Sequence, residues 1–151
     1  IEDEKIFDYI ECDKDFRTNP LDFVNMQKAI DLLTKHIYIN STIRILVDAD
    51  CDGYMSSALM YNVIKELSPE ANVDFIHHKE KKHGLYKENI EDIINMDIDL
   101  LIIPDAGSNQ VDNLRLVKEN NIDILVIDHH EAEQAEDIAK RVSQYTKQIE
   151  N

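Results

Sequence analysis

Residues 43–60 read IRILVDADCDGYMSSALM. A short apolar run, Ile43 to Val47, goes straight into three aspartates at alternate positions, Asp48, Asp50 and Asp52, closed by Gly53. The run has the length and β-branched content of a strand, and the residues after it carry the spacing of a helix over about 54–67. A strand that ends in carboxylates and turns into a helix is the first half of a strand–helix–strand unit. Three further apolar runs repeat the pattern: VDFI (73–76), LLII (100–103) and IDILVI (122–127). Helix-like stretches separate them, over about 87–96 and 109–120. The third and fourth runs are almost continuously apolar, which is how strands covered on both faces of a parallel sheet read. The sequence therefore predicts an α/β fold, a parallel sheet of about four or five strands flanked by helices and joined by right-handed crossovers.

Outside this alternation the chain is less regular. Residues 1–18 are acidic and mixed and read as a peripheral N-terminal extension; the domain proper is expected over 19–151. Asn19-Pro20 reads as a helix start, an N-cap followed by proline in the first turn. Phe23, Met26, Ile30, Leu33 and Ile37 follow at spacings of three and four, the apolar stripe of an amphipathic helix. The tail over 131–150 is polar and helical in pattern.

The bulk numbers fit one soluble domain. The chain has 151 residues, 43% hydrophobic and 31% charged, enough to build a real core. No apolar run approaches the roughly 20 residues of a membrane helix, and the acidic N-terminus lacks the features of a signal peptide. The two cysteines, Cys12 and Cys51, form no disulfide framework. A reducing, cytoplasmic setting is expected. The first residue is Ile, so a piece of a longer chain is expected too. The formal net charge of −15 argues against a domain that grips nucleic acid with its whole surface.

The ends of the four runs carry the chemistry. The first ends in Asp48, with Asp50 and Asp52 beyond; the second in His77-His78; the third in Pro104-Asp105; the fourth in Asp128-His129-His130. In a parallel sheet the C-terminal ends share one edge, and ligands of open α/β sheets bind there. Three explanations compete with a binuclear metal site. D-x-D-x-D-G opens an EF-hand loop, but such a loop needs a bidentate Glu at its twelfth position, and counting from Asp48 the twelfth residue is Leu59. A haloacid-dehalogenase-like phosphatase also places D-x-D after a strand, yet its chemistry does not call for a histidine pair after the last strand. Helix caps and turns account for any single aspartate, but not for five aspartates and two histidines at three strand ends. Close carboxylates repel, and a divalent cation relieves that repulsion. Mixed Asp and His ligation suits Mn²⁺, or Mg²⁺ with fewer imidazoles.

VDADCDG (47–53), IPDAGSN (103–109) and VIDHHE (126–131) resemble, in order and spacing, the first three motifs of the DHH phosphoesterase superfamily. Within it they look most like the N-terminal domain of RecJ-like single-strand-specific exonucleases. HHKEKKHGLY (77–86) also resembles that branch's basic stretch before a Gly-Leu pair. The resemblance implies two Mn²⁺ or Mg²⁺ ions and water as the nucleophile. It implies that Asp50 and Asp52 bind one metal each and that Asp105 bridges both. His129 is then a ligand, His130 a ligand or a phosphate contact, and Asp48 and Asp128 complete or support the coordination. The implied activity is 5′-to-3′ hydrolysis of single-stranded DNA, with a place in DNA repair and recombination. The alternatives are an oligoribonuclease or small-nucleotide phosphodiesterase of the same superfamily, and a non-catalytic scaffold of a replication or repair assembly. The superfamily's fourth-motif Asp and second domain have no counterpart in the sequence.

Several other residues are candidates in their own right. His78, Lys79, Lys82 and His83, with Lys81 and Lys87 nearby, form a basic cluster expected to contact substrate phosphates. Ser56 and Ser57, near the start of the first crossover helix, are candidates for holding a phosphate at its N-terminus. Gly53 is expected to allow a tight turn into that helix. Asn109 is expected to cap the helix after the third strand, with Val111, Leu114 and Val117 as its core face.

Overall fold

The computed structural model describes residues 19–23, 25–78 and 83–131. The expected N-terminal extension, the polar tail from 132 onwards and the lysines at 79, 81 and 82 lie outside the described residues. The chain divides into two compact units, 1–34 and 35–151. In the first, Asn19 does act as a cap, but of a single 3-10 turn, Pro20–Asp22, where its Oδ1 accepts from the Leu21 N–H at 3.0 Å. The helix itself, α1, starts later and spans Met26–Tyr38, its residues from Lys35 onwards belonging to the second unit. Proline at the first position suits either kind of turn, so the cap signal was real and its extension into an α-helix was not.

The second unit holds β1 (Ile43–Val47), α2 (Cys51–Leu67), β2 (Val73–His77), α3 (Lys87–Ile94), β3 (Leu100–Pro104), α4 (Val111–Glu119) and β4 (Asp123–Ile127). The four strands form one parallel sheet in the order β2-β1-β3-β4. β1 and β3 are central and nearly all of their residues are buried; every residue of β3 is. β4 lies at an edge, with Ile127 exposed, so its continuous apolar run is only partly covered. Alternation assigns the side chains. Leu46, Leu101 and Ile103 enter one core with Ile90 and Ile93 of α3 and Val117 of α4. Ile45, Leu100 and Ile102 are equally buried, and α2 packs along β1 and β3. Val111, expected in the core, is exposed at the first residue of α4, whose buried residue is Val117.

Strand order matters for function. From β1 the chain moves to β2 on one side, then returns to β3 on the other. The order reverses between β1 and β3, which opens a crevice beyond their C-terminal ends. The opposite end of the sheet is tied by Asp123, at the start of β4. Its carboxylate meets His36 Nε2 at 2.9 Å, Lys35 Nζ at 3.4 Å and the ammonium of Lys118. His36 is buried, and its contact with Asp123 fixes the helix end that carries it to β4.

Lys118 and His36 together hold the Asp123 carboxyl well below the usual carboxylate range. A depressed carboxyl contributes stability that is present above its unfolded pKa, about 3.9, and lost as pH falls through the folded value. Asp123→Ala is expected to cost about 1–3 kcal/mol at pH 7, since it strips partners from a buried imidazole. Urea denaturation of parent and variant should show that difference shrinking below about pH 4.

Candidate metal centre

The three aspartates after β1 have different surroundings. Asp48 continues the strand and is 2% exposed; its Oδ1 accepts from the Gly84 N–H at 2.6 Å and its Oδ2 lies 2.8 Å from His83 Nδ1. Asp50 is the N-cap of α2, its Oδ1 accepting from the Gly53 N–H at 3.0 Å. That bond, first among the causes, holds the Asp50 carboxyl below its ordinary range. Asp52, in the first turn, is exposed. Gly53 is needed here for close approach rather than for a turn. A Cβ at this position would stand 2.6 Å from the Cβ of Asp48 and 2.8 Å from its carbonyl oxygen. Only glycine lets α2 start so near the end of β1.

β3 delivers Asp105 in an unusual conformation. Its φ is +67°, in the left-handed region, and its N–H donates to the Ile127 carbonyl at 2.7 Å. Such a backbone costs a non-glycine residue free energy and is often found at functional sites. The carboxylate is 6% exposed; Oδ1 lies 2.9 Å from His129 Nε2, while buried Oδ2 has no hydrogen-bond partner. Burial first, and then the negative charges of Asp52 and Asp50, push the Asp105 carboxyl up from its ordinary range.

β4 contributes through its C-terminal end. Asp128 Oδ2 accepts from the Ser108 N–H at 2.9 Å; Oδ1 accepts from the His130 N–H at 3.0 Å and lies 2.6 Å from His130 Nδ1. Burial works against the Asp128 charge, but these donors outweigh it and hold its carboxyl well below the ordinary range. Asp128 in turn raises the basicity of His130 through their hydrogen bond. An imidazole held through one nitrogen by a carboxylate has a fixed orientation, as outer partners of metal-binding histidines provide. The His129 and His130 rings lie 4.8 Å apart.

The structure therefore brings together Asp48, Asp50, Asp52, Asp105, Asp128, His129 and His130. Their potential ligand atoms form overlapping groups within 4.8 Å: Asp50, Asp52 and Asp105; Asp105, His129 and His130; and Asp48, Asp50 and His83. Asp50 and Asp105 each belong to two of them, Asp128 to none, and of the two shared residues Asp105 is the buried one. A cleft of about 220 Å³ opens beside them, lined by Asp48, His83, Gly84, Asp105, Asn109, Gln110, Asp128 and His130 among others. The oxygen and imidazole donors suit a hard or borderline divalent cation, and the orphaned Asp105 Oδ2 is an acceptor that such an ion would satisfy.

Other predicted residues stand elsewhere or differently. His83, expected to meet substrate, stands against Asp48 and Asp50, 3.5 Å from Asp50 Oδ2. His78 is half-buried with its ring edge-on to Tyr86. The Ser56 hydroxyl donates to the Gly53 carbonyl at 3.2 Å, and Ser57 is buried with Oγ unpartnered. Asn109 does not cap α4; Gln110 holds the N-cap position, and Asn109 Nδ2 donates to the Glu131 carbonyl at 2.9 Å. Lys79 and Lys82 fall outside the described residues.

Comparison with known proteins gives the family and the fold. The sequence profile described as the DHH family, N-terminal domain, matches residues 42–149. The chain is 37% identical over 139 residues to the SPbeta prophage-derived protein YorK of Bacillus subtilis (strain 168), whose name describes a single-strand DNA-specific exonuclease. That match covers 92% of this chain and 23% of the relative. Against the single-stranded-DNA-specific exonuclease RecJ of the same organism the identity is 27%, covering 79% of this chain and 15% of RecJ. The chain thus spans less than a quarter of these relatives' length. Its fold resembles exonuclease RecJ bound to manganese, with a TM-score of 0.68 at 24% identity, covering 79% of this chain and 31% of the other. It also resembles RecJ from Thermus thermophilus in complex with Mn²⁺, with a TM-score of 0.66 at 23% identity, covering 83% and 18%.

A buried carboxylate facing two others destabilises the metal-free chain. Asp105→Asn keeps the shape, tolerates the positive φ and removes the charge. The variant is expected to resist urea better than the parent in the presence of a chelator at pH 7. The gap should close as pH falls far enough to protonate Asp105 in the parent, because a raised carboxyl pKa penalises only the ionised form. Equal stability of the two at pH 7 would show that the aspartates do not strain one another.

Proposed function

The chain belongs to the DHH family, and from that premise we propose that it is the phosphodiesterase domain of a RecJ-like exonuclease that hydrolyses single-stranded DNA from the 5′ end with two divalent cations, Mn²⁺ or Mg²⁺. The observation that carries the reading is the position of Asp105: buried, left-handed, with one oxygen unpartnered, and shared by two groups of ligand atoms. A carboxylate so placed would help to hold both cations. Asp50 and Asp52 would hold the cations from the β1 side and His129 from the β4 side. Asp48 and Asp128 would orient their neighbours through the bonds to His83, Gly84, Ser108 and His130. When bound, the cations supply activation of water and neutralisation of charge on a phosphate ester.

The chain's own groups prepare the rest. His130, aimed by Asp128 and made more basic by it, faces the cleft and is suited to hold a phosphate oxygen. The basic run 77–87 follows β2, which ends at the same edge of the sheet as β1. It would meet the strand's phosphates. The names of YorK and RecJ support single-stranded DNA as the substrate class. The carboxylates, imidazoles and amides that line the cleft agree with a charged, solvated ligand.

Calorimetric titration with Mn²⁺ should give binding to the parent chain and none to the Asp50→Ala/Asp105→Ala variant. With Asp105→Ala alone, cooperative binding of two ions should be lost; two ions bound as in the parent would refute the bridge. Single strands labelled at either end should show loss of the 5′ label as the first product. Dinucleotides or cyclic dinucleotides cleaved in preference to long strands would assign a small-nucleotide phosphodiesterase instead.

Neutralising Lys79, Lys81 and Lys82 should weaken single-strand binding and lower the slope of log affinity against log salt by up to about 2, at about 0.7 per phosphate contact. An unchanged slope would remove these lysines from the substrate path.

A further inference from the structure

The turn at residues 83–85 is held from two directions. On one side it meets the β1 end: Gly84 N–H donates to Asp48 Oδ1 at 2.6 Å, and His83 Nδ1 lies 2.8 Å from Asp48 Oδ2. On the other it meets the start of α4: Leu85 N–H donates to Gln110 Oε1 at 2.6 Å, and Asn113 Nδ2 donates to the Leu85 carbonyl at 2.7 Å. Two side-chain amides thus grip both polar groups of one peptide residue. The fit is close. Gly84 has φ +73°, and a Cβ there would stand 2.4 Å from Gln110 Oε1. The Leu85 side chain is fully buried in the core shared by α3 and α4. The Gln110 side chain makes no capping bond to its own helix.

We propose that Gln110 and Asn113 are positioning residues for the metal centre: by clamping Leu85 they hold the Gly84 N–H and the His83 imidazole against Asp48, and so fix the carboxylate edge formed by Asp48 and Asp50. This rests on the reading of that edge as a metal site. The physical need is specific. Asp48 is 2% exposed, and its two oxygens are met by the Gly84 N–H and His83, both in the clamped turn. A buried carboxylate whose donors drift away loses stabilisation and orientation together. An added Cβ at Gly53 would stand 2.6 Å from the Asp48 Cβ, so the start of α2 passes close to Asp48 on that side as well. Side chains that orient groups beside a metal in this way typically change metal affinity by about 10–100-fold when removed.

Two isosteric variants separate clamp from charge. Gln110→Glu keeps an oxygen to accept from the Leu85 N–H. Asn113→Asp replaces the donor to the Leu85 carbonyl with an oxygen. Each adds one negative charge at the same helix end. Two readouts apply: amide hydrogen exchange at Gly84 by NMR in the metal-free chain, and Mn²⁺ affinity by calorimetry. Asn113→Asp is expected to speed Gly84 exchange by roughly three- to tenfold and to weaken Mn²⁺ binding by about 10–100-fold. Gln110→Glu is expected to leave Gly84 exchange as in the parent and Mn²⁺ binding unchanged or tighter. Should Asn113→Asp fail to fold, Asn113→Ala removes the donor without a charge and serves in its place. Unchanged Gly84 exchange in the Asn113 variant would overturn the clamp. Faster exchange with parental Mn²⁺ affinity would overturn its link to the metal edge, and equal losses in both variants would assign the effect to charge. A parent chain that binds no Mn²⁺ would defeat the metal reading and with it the positioning role, even if Gly84 exchange showed the clamp itself to be real.

Discussion

Repulsion between carboxylates is the constraint around which this domain is arranged. Parallel pairing puts the ends of β1, β3 and β4 side by side, at about 4.8 Å per strand, and each is followed directly by an aspartate. The chain stabilises these charges one at a time with donors it already has. Gly84 and His83 serve Asp48, the start of α2 serves Asp50, and Ser108 and His130 serve Asp128. Asp105 is the exception. One of its buried oxygens has no partner, its backbone is strained, and its neighbours are negative. The deficit is concentrated at the residue placed between two groups of ligand atoms, where a cation would remove it for both.

The fold was legible because both of its periodicities were strong. The strand boundaries read from the apolar runs differ from the observed ones by a residue or so, since β1 and β3 are covered on both faces and leave no room for polar residues. The strand order was not legible. An apolar run states that a strand is covered, not what covers it, so β4 looked as central as β3 although it lies at the edge. Local signals also misled where two structures share them. Asn19-Pro20 fits a 3-10 turn as well as a helix, and Asn109 has the chemistry of a cap but donates to Glu131 instead.

The candidate ligands were legible for a different reason: they sit at strand ends, and strand ends could be read. His83 was visible as part of a basic run, which suggested phosphate contact; its place against Asp48 depends on a glycine turn and on side chains 25 and 28 residues from Leu85. Gln110 and Asn113 carry no signal in the sequence. An amide at the start of a helix is ordinary, and only the three-dimensional path of the 83–85 turn gives these two a common target. Outer partners of a site are as a rule harder to read than its ligands, because they act through backbone groups that every residue possesses.

The net charge of −15 is a difficulty for any partner that is itself a polyanion. At physiological ionic strength the Debye length is about 8 Å, so most surface acids are screened from a strand lying in the cleft. The acids that are not screened are those lining the cleft, Asp48, Asp105 and Asp128, and Asp50 grouped beside them. Without cations they would repel phosphate at the one place where it must bind. With two divalent cations in place, four charges are offset at short range, and the site becomes attractive while the rest of the surface stays acidic. On this reading metal and substrate binding are coupled. The cations would supply the chemistry of hydrolysis and would also decide whether a nucleic acid strand can approach the edge where β1 and β3 diverge.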